Sequence, residues 1–213
     1  MRGGLQAAIF ATYCFAAASA VPFLSDAARA RLSAIGFGAP PLLILAFATV
    51  LGAAALWQLD RHGFFRPLPG PTLRPAIRAA ALLALPLILA DAFFPLPAAI
   101  NHPWPEAWLY YPMAAVAEAV LSLVPLALIH PLIRRPWLAI PLAALAAPAL
   151  ALAYAPAGAT VLLAAQAWAT GMVELMLLRR SGVTGLIAFR LAHGLIWYIL
   201  WGAARLWLGI APA

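Results

Sequence analysis

Seven stretches of nearly unbroken apolar residues alternate with short polar connections: Leu5–Leu24, Pro41–Leu59, Ala76–Phe94, Ala107–Ile129, Trp137–Tyr154, Ala157–Leu178 and Thr184–Leu208. Each approaches the roughly 20 residues that a helix needs to cross a bilayer's hydrocarbon core. Lipid offers no partner to an unpaired peptide group, so apolar runs of this length predict helices. The connections are too short to part domains. Pro67, Pro69, Gly70, Pro71 and Pro75 punctuate the second, and Pro95, Pro97, Pro103 and Pro105 the third. The pattern predicts an all-α fold: one polytopic transmembrane helical bundle of about seven spans over residues 1–213. The first segment also reads as a secretory signal peptide, because Arg2, an apolar stretch and Ala18-Ser19-Ala20 follow one another in that order.

Composition agrees with the pattern. Of 213 residues, 66% are apolar and 9% charged, against about 25% charged in a soluble domain. A soluble enzyme, a disordered regulator and a disulfide scaffold are excluded. The net charge of +7 comes from thirteen basic residues, all arginine, scattered in ones and twos between the apolar runs. That is topogenic charge rather than a nucleic-acid face. Arg61, Arg66, Arg74 and Arg78 flank the second connection, Arg134 and Arg135 the fourth, and Arg179 and Arg180 the sixth, while the third and fifth have none. The positive-inside rule then places the N-terminus in the cytoplasm, in a multi-pass inner-membrane protein. Arg29 and Arg31 in the first connection fit a short interfacial helix begun by Ser25 or Asp26. Trp57, Trp104, Trp108, Tyr110, Tyr111, Trp137, Tyr154 and Trp207, near segment ends, read as interfacial anchors. Without lysine no Schiff base forms, and the single Cys14, in an apolar run, reads as a small buried hydrophobe.

The ionisable residues inside the spans carry the chemistry, because each costs at least about 2.5–3.5 kcal/mol at mid-membrane. They are Asp91, Glu118, Glu174, Arg190 and His193. Glu118 lies at the middle of its segment, with Ala114, Ala115 and Ser122 on or near its face. At 1.5 Å per residue His193 reaches a similar depth, so a Glu118–His193 pair sharing a water is expected, in a cavity open toward Arg134 and Arg179. Arg190 matches the depth of Glu174, which predicts a second pair. Arg190, Gly194, Trp197, Trp201 and Arg205 form a stripe that must face protein or water. Asp91 reads as a solvated or capping residue, and His62, His102 and His130 as surface histidines. No cluster has metal-ligand spacing, and Ser181-Gly182 reads as a helix boundary.

The run Ala115-Val116-Ala117-Glu118-Ala119-Val120-Leu121, ahead of a helix ending at Arg134-Arg135, resembles the first conserved block of the CPBP family. These are the CAAX-prenyl and bacteriocin-processing intramembrane endopeptidases. The run Leu177-Leu178-Arg179-Arg180-Ser181-Gly182, then Ala188-Phe189-Arg190-Leu191-Ala192-His193, resembles its closing block. The resemblance covers about residues 112–202. It implies a polar cavity on the cytoplasmic side, where a glutamate activates water for peptide hydrolysis and His, Asn or Asp side chains stabilise the oxyanion. Carried over, Glu118 is the base, His193 its polar partner, and Glu174 with Arg190 a supporting pair. The substrate would be a membrane-bound or prenylated peptide, the surroundings membrane lipid, and no cofactor, metal or nucleic acid is required. The family's second glutamate is replaced by Ala119, its arginine by Leu123 and its closing Asn or Asp by Trp197. The histidine of its Phe-x-x-x-His motif is missing, since none lies between His130 and His193. A diverged glutamic-type endopeptidase homologue, active or catalytically degenerate, is one reading. A non-enzymatic scaffold, partner-binding or transport-associated membrane protein is the alternative.

Overall fold

In a computed structural model of the chain, describing residues 2–36, 38–65, 73–94, 106–149 and 160–210, every described element is helical. Helix α1 (Arg2–Ser19) leads through a 3-10 turn at Val21–Phe23 into α2 (Asp26–Ile35). Then follow α3 (Pro41–Arg61), α4 (Leu73–Phe93), α5 (Glu106–Ile133), α6 (Pro136–Ala144) and α7 (Thr160–Gly194). A π-helical segment, Leu195–Trp201, joins α7 to α8 (Gly202–Leu208). Ser25 caps the short α2 by accepting the Ala28 N–H, the start expected for the interfacial helix.

Five helical stretches are long and apolar enough to cross a membrane: Gly3–Phe23, Pro41–Arg61, Leu73–Phe93, Glu106–Ile133 and Val161–Leu208. The apolar helix Pro136–Ala149 is shorter, and the remainder of the predicted segment Trp137–Tyr154 lies outside the described residues. The sixth and seventh predicted segments form one 48-residue stretch, whose hydrogen-bonding pattern runs across a sharp break. The break is Gly182, at φ 68° and ψ −163°, a region essentially confined to glycine. A Cβ there would also collide with the Gln6 amide, whose Oε1 accepts the buried Val183 N–H at 2.6 Å.

Large apolar side chains project outward from the long helices, including Phe15, Phe47, Leu82, Leu128, Val161 and Leu206. Apolar surface on this scale suits lipid and not water. Helix α5 is the axis of the bundle, buried along most of its length and packed against α1, α2, α3, α6 and α7. The main core joins these helices through Phe10, Leu45, Leu56, Met113, Leu123, Leu175 and Leu186. Helix α4 stands to one side, with Ala76 and Ala80 against Leu177 and Phe189, and Ala84 and Leu87 against Trp197.

Several contacts bring one set of helix ends together. Gly3 N–H donates to Asp60 Oδ2 at 2.7 Å, Gln6 holds the Gly182 break, Phe64 packs edge-on against His130, and Ala76 lies against Leu177. The start of α1 and the described parts of connections two, four and six therefore share one end of the bundle. Cys14 is buried, and Trp57, Trp108, Trp137 and Trp207 are well exposed. Trp104, Tyr154, His102 and Arg66 lie outside the described residues. Tyr110 and Tyr111 depart from the anchor role: Tyr110 is buried and Tyr111 stacks on Tyr198 at 4.1 Å.

Candidate functional site

Glu174 and Arg190 stand eight residues before and eight residues after Gly182, so the reversal carries both back into the bundle by about 12 Å. Arg190 meets Glu174 edge to edge, Nε donating to Oε1 at 2.8 Å and Nη2 to Oε2 at 2.6 Å. The remaining terminal nitrogen, Nη1, donates to Glu118 Oε2 on α5 at 2.8 Å. One guanidinium therefore ties both arms of α7 to the central helix. The bidentate fork is the geometry for which arginine is suited, and the enclosure of Glu174 makes its two bonds expensive to break.

The three charged groups differ in access. Glu174 is fully enclosed, the Arg190 side chain is 11% exposed and that of Glu118 is 44% exposed. Glu118 Oε1 has no hydrogen-bond partner among the described residues. Tyr110, Tyr111 and Tyr198 lie near enough to feel the Glu118 charge, and the stacked Tyr111–Tyr198 pair forms part of its surroundings.

His193 is not where the depth argument put it. It is buried, tilted against Phe189 one turn before it, and its polar contact is Gln166 Nε2 at 3.5 Å. That amide also donates to Leu83 O at 3.0 Å and approaches Thr170 Oγ1 at 3.4 Å. Glu118 bonds Arg190 rather than His193. Depth alone failed because it leaves rotation about the helix axis open. The residue three positions earlier, Arg190, projects toward α5, while His193 projects toward Gln166 and α4. The cleft on the other side of Arg190, lined by Phe10, Tyr13, Ala115, Val116, Ala119, Leu186 and Ile187, is too tight for a water molecule.

A second buried ion pair sits nearer the opposite end. Arg205 Nε lies 3.2 Å from Asp91 Oδ2, both side chains fully enclosed, and Trp201 Nε1 donates to the same oxygen at 2.6 Å. Asp91 is thus neither solvated nor a cap; it joins α4 to the C-terminal arm. The stripe Arg190, Gly194, Trp197, Trp201 and Arg205 faces protein, as an arginine-bearing stripe in lipid must. His130 is buried rather than on the surface, whereas His62 is exposed. Two glutamines escaped the sequence reading, Gln6 and Gln166. Their signal was an uncharged amide inside an apolar run, which needs a partner as surely as a charge does. Among the described residues no group of His, Cys, Asp and Glu has the makings of a metal site.

No known protein-family model matches the chain, and neither a curated protein nor a solved structure is similar to it.

Proposed function

We propose that this chain is a catalytically degenerate homologue of the CPBP-type intramembrane endopeptidases, acting as a non-hydrolytic multi-pass protein of the inner membrane. The observation that supports this reading is the Arg190 guanidinium held between Glu118 and Glu174. A general base needs a lone pair aimed at a water and a partner for the developing oxyanion. Here a charge-assisted bond occupies Glu118 Oε2, His193 is engaged elsewhere, and the cleft beside Arg190 excludes water. The cluster fastens three helical segments together instead.

The enzymatic reading has one observation in its favour, the open Glu118 Oε1 on a side chain nearly half exposed. Purified protein mixed with a panel of prenylated and membrane-embedded peptides separates the two. No cleavage is expected from the native chain or from Glu118→Gln. Cleavage by the native chain that disappears in Glu118→Gln would replace the proposal with a working glutamic peptidase.

The same proposal includes seven spans with a cytoplasmic N-terminus, counting the two arms of α7 and the short α6 separately. It is supported by the shared end described above, which gathers Arg61, Arg74, Arg78, Arg134, Arg135, Arg179 and Arg180 against one described acid, Asp60. The single buried Cys14 makes the test simple. In a Cys14→Ala background, cysteines at Gly63 and Arg135 should react with an impermeant maleimide only after the inner membrane is opened, and one at Gly38 before. The reverse order would invert the topology.

A further inference from the structure

Helix α5 ends in a costly way. Helices that stop on a left-handed residue favour glycine there, because a Cβ crowds the neighbouring carbonyl. Here the residue is Arg134 at φ 56°, the one non-glycine with positive φ among the described residues. Its N–H caps His130 O at 2.8 Å, and its Nε reaches back to Pro131 O at 3.4 Å. That second contact pins the guanidinium to the helix end. Its Nη1 and Nη2 have no partner among the described residues.

The surroundings are basic and partly apolar. Arg135 follows as an exposed start to α6, without a side-chain cap bond. One turn before Arg134, buried His130 lies within electrostatic reach of His62 and Arg179. The acid described at this end, Asp60, is engaged by the Gly3 N–H. Below the charges, Leu128 and Leu132 on the last turns of α5 are 67% and 84% exposed, and Trp137 on α6 is exposed as well. Unpaired cationic nitrogens above an apolar track match an amphiphile with an anionic head better than a free anion.

We propose that this corner binds the phosphate of an anionic phospholipid from the leaflet at this end, with Arg134 as the residue that specifies it. Arg135 and Arg179 supply further positive charge, and Leu128 and Leu132 receive an acyl chain. The left-handed backbone at Arg134 is retained for the guanidinium it presents. This assignment is independent of how the intramembrane cluster is interpreted.

The full chain in neutral detergent is titrated with short-chain phosphatidylglycerol, with short-chain phosphatidylcholine and with inorganic phosphate, and binding is followed by native mass spectrometry. Phosphatidylglycerol is expected to bind saturably and more tightly than the other two. Arg134→Gly should lose about fivefold or more of that affinity, the worth of one arginine near an anionic headgroup. Its melting temperature without lipid should hold or rise, since glycine relieves the left-handed backbone. Arg134→Lys, which keeps the charge and loses the fork, should fall between. Unchanged lipid affinity in Arg134→Gly would overturn the assignment, as would inorganic phosphate binding as tightly as the lipid. A lower melting point for lipid-free Arg134→Gly would also overturn it, since Arg134 would then serve the fold.

Discussion

Replacing Arg190 with methionine removes the guanidinium while keeping most of the apolar stem, so packing is largely preserved. The lost group makes two bonds to fully enclosed Glu174 and one to Glu118, whose side chain is 44% exposed. The change therefore strands a carboxylate without water or partner. Breaking a buried pair from one side costs about 3–5 kcal/mol. Glu118→Gln removes a charge from a much more accessible side chain and leaves Arg190 held by Glu174, so its cost is about 0–1 kcal/mol. The double change Glu174→Leu with Arg190→Met removes both enclosed charges and should lie nearer the native protein than Arg190→Met alone. For a chain of this length each kcal/mol moves the melting temperature by about 2–4 °C. Arg190→Met should thus melt about 6–20 °C lower, and Glu118→Gln within about 4 °C of native. Thermal unfolding in detergent, followed by the fluorescence of the eight tryptophans, measures both. Equal losses in Arg190→Met and Glu118→Gln, or a double variant no more stable than Arg190→Met alone, would refute the asymmetric cluster.

Three further changes probe the frame around the cluster. Gly182→Ala should cost more than the roughly 1–3 kcal/mol of an unfavourable backbone, because its Cβ also meets Gln6; adding Gln6→Ala should recover part of the lost melting temperature. Gln6→Leu alone leaves the buried Val183 N–H without its acceptor, a loss of about 1–3 kcal/mol visible in the same melt. Asp91→Asn should shift the tryptophan emission and lower the melting point, since Trp201 loses a charged acceptor and enclosed Arg205 its counter-ion. In a Trp201→Phe background the spectral shift should vanish while Asp91→Asn still lowers stability.

The helices were legible because lipid enforces one rule, that a long apolar run must satisfy its own backbone. All seven apolar segments fall on helix where they are described. Their division was legible as well, since Ser181-Gly182 reads as a helix boundary between Leu178 and Thr184 and the break falls at Gly182; what hydropathy does not register is the geometry of the reversal. Leu178 and Thr184 lie on either side of a break that depends on the backbone angles of Gly182 and on an amide from the first helix, 176 positions earlier in the chain. Gln6, an amide inside an apolar run, signals that it needs a partner but not which one, and the partner lies at the far end of the chain.

Depth and sign of charge located the intramembrane site, and azimuth decided its wiring. Equal depth correctly joined Arg190 to Glu174, but it was equally compatible with Glu118 meeting His193 or Arg190. Three residues of helix separate those two side chains, about 300° of rotation and 4.5 Å of rise. Electrostatics favours the outcome found: neutral histidine offers Glu118 one ordinary hydrogen bond, whereas a guanidinium already neutralising Glu174 has a nitrogen left for a second carboxylate. The same preference explains Asp91 and Arg205. A scarce buried charge in lipid finds the nearest opposite charge that helix rotation allows, and the stripe from Arg190 to Arg205 puts one arginine against each acidic neighbourhood. Glu118 is bound for the same reason, its Oε2 accepting from the one terminal nitrogen of Arg190 that Glu174 leaves open.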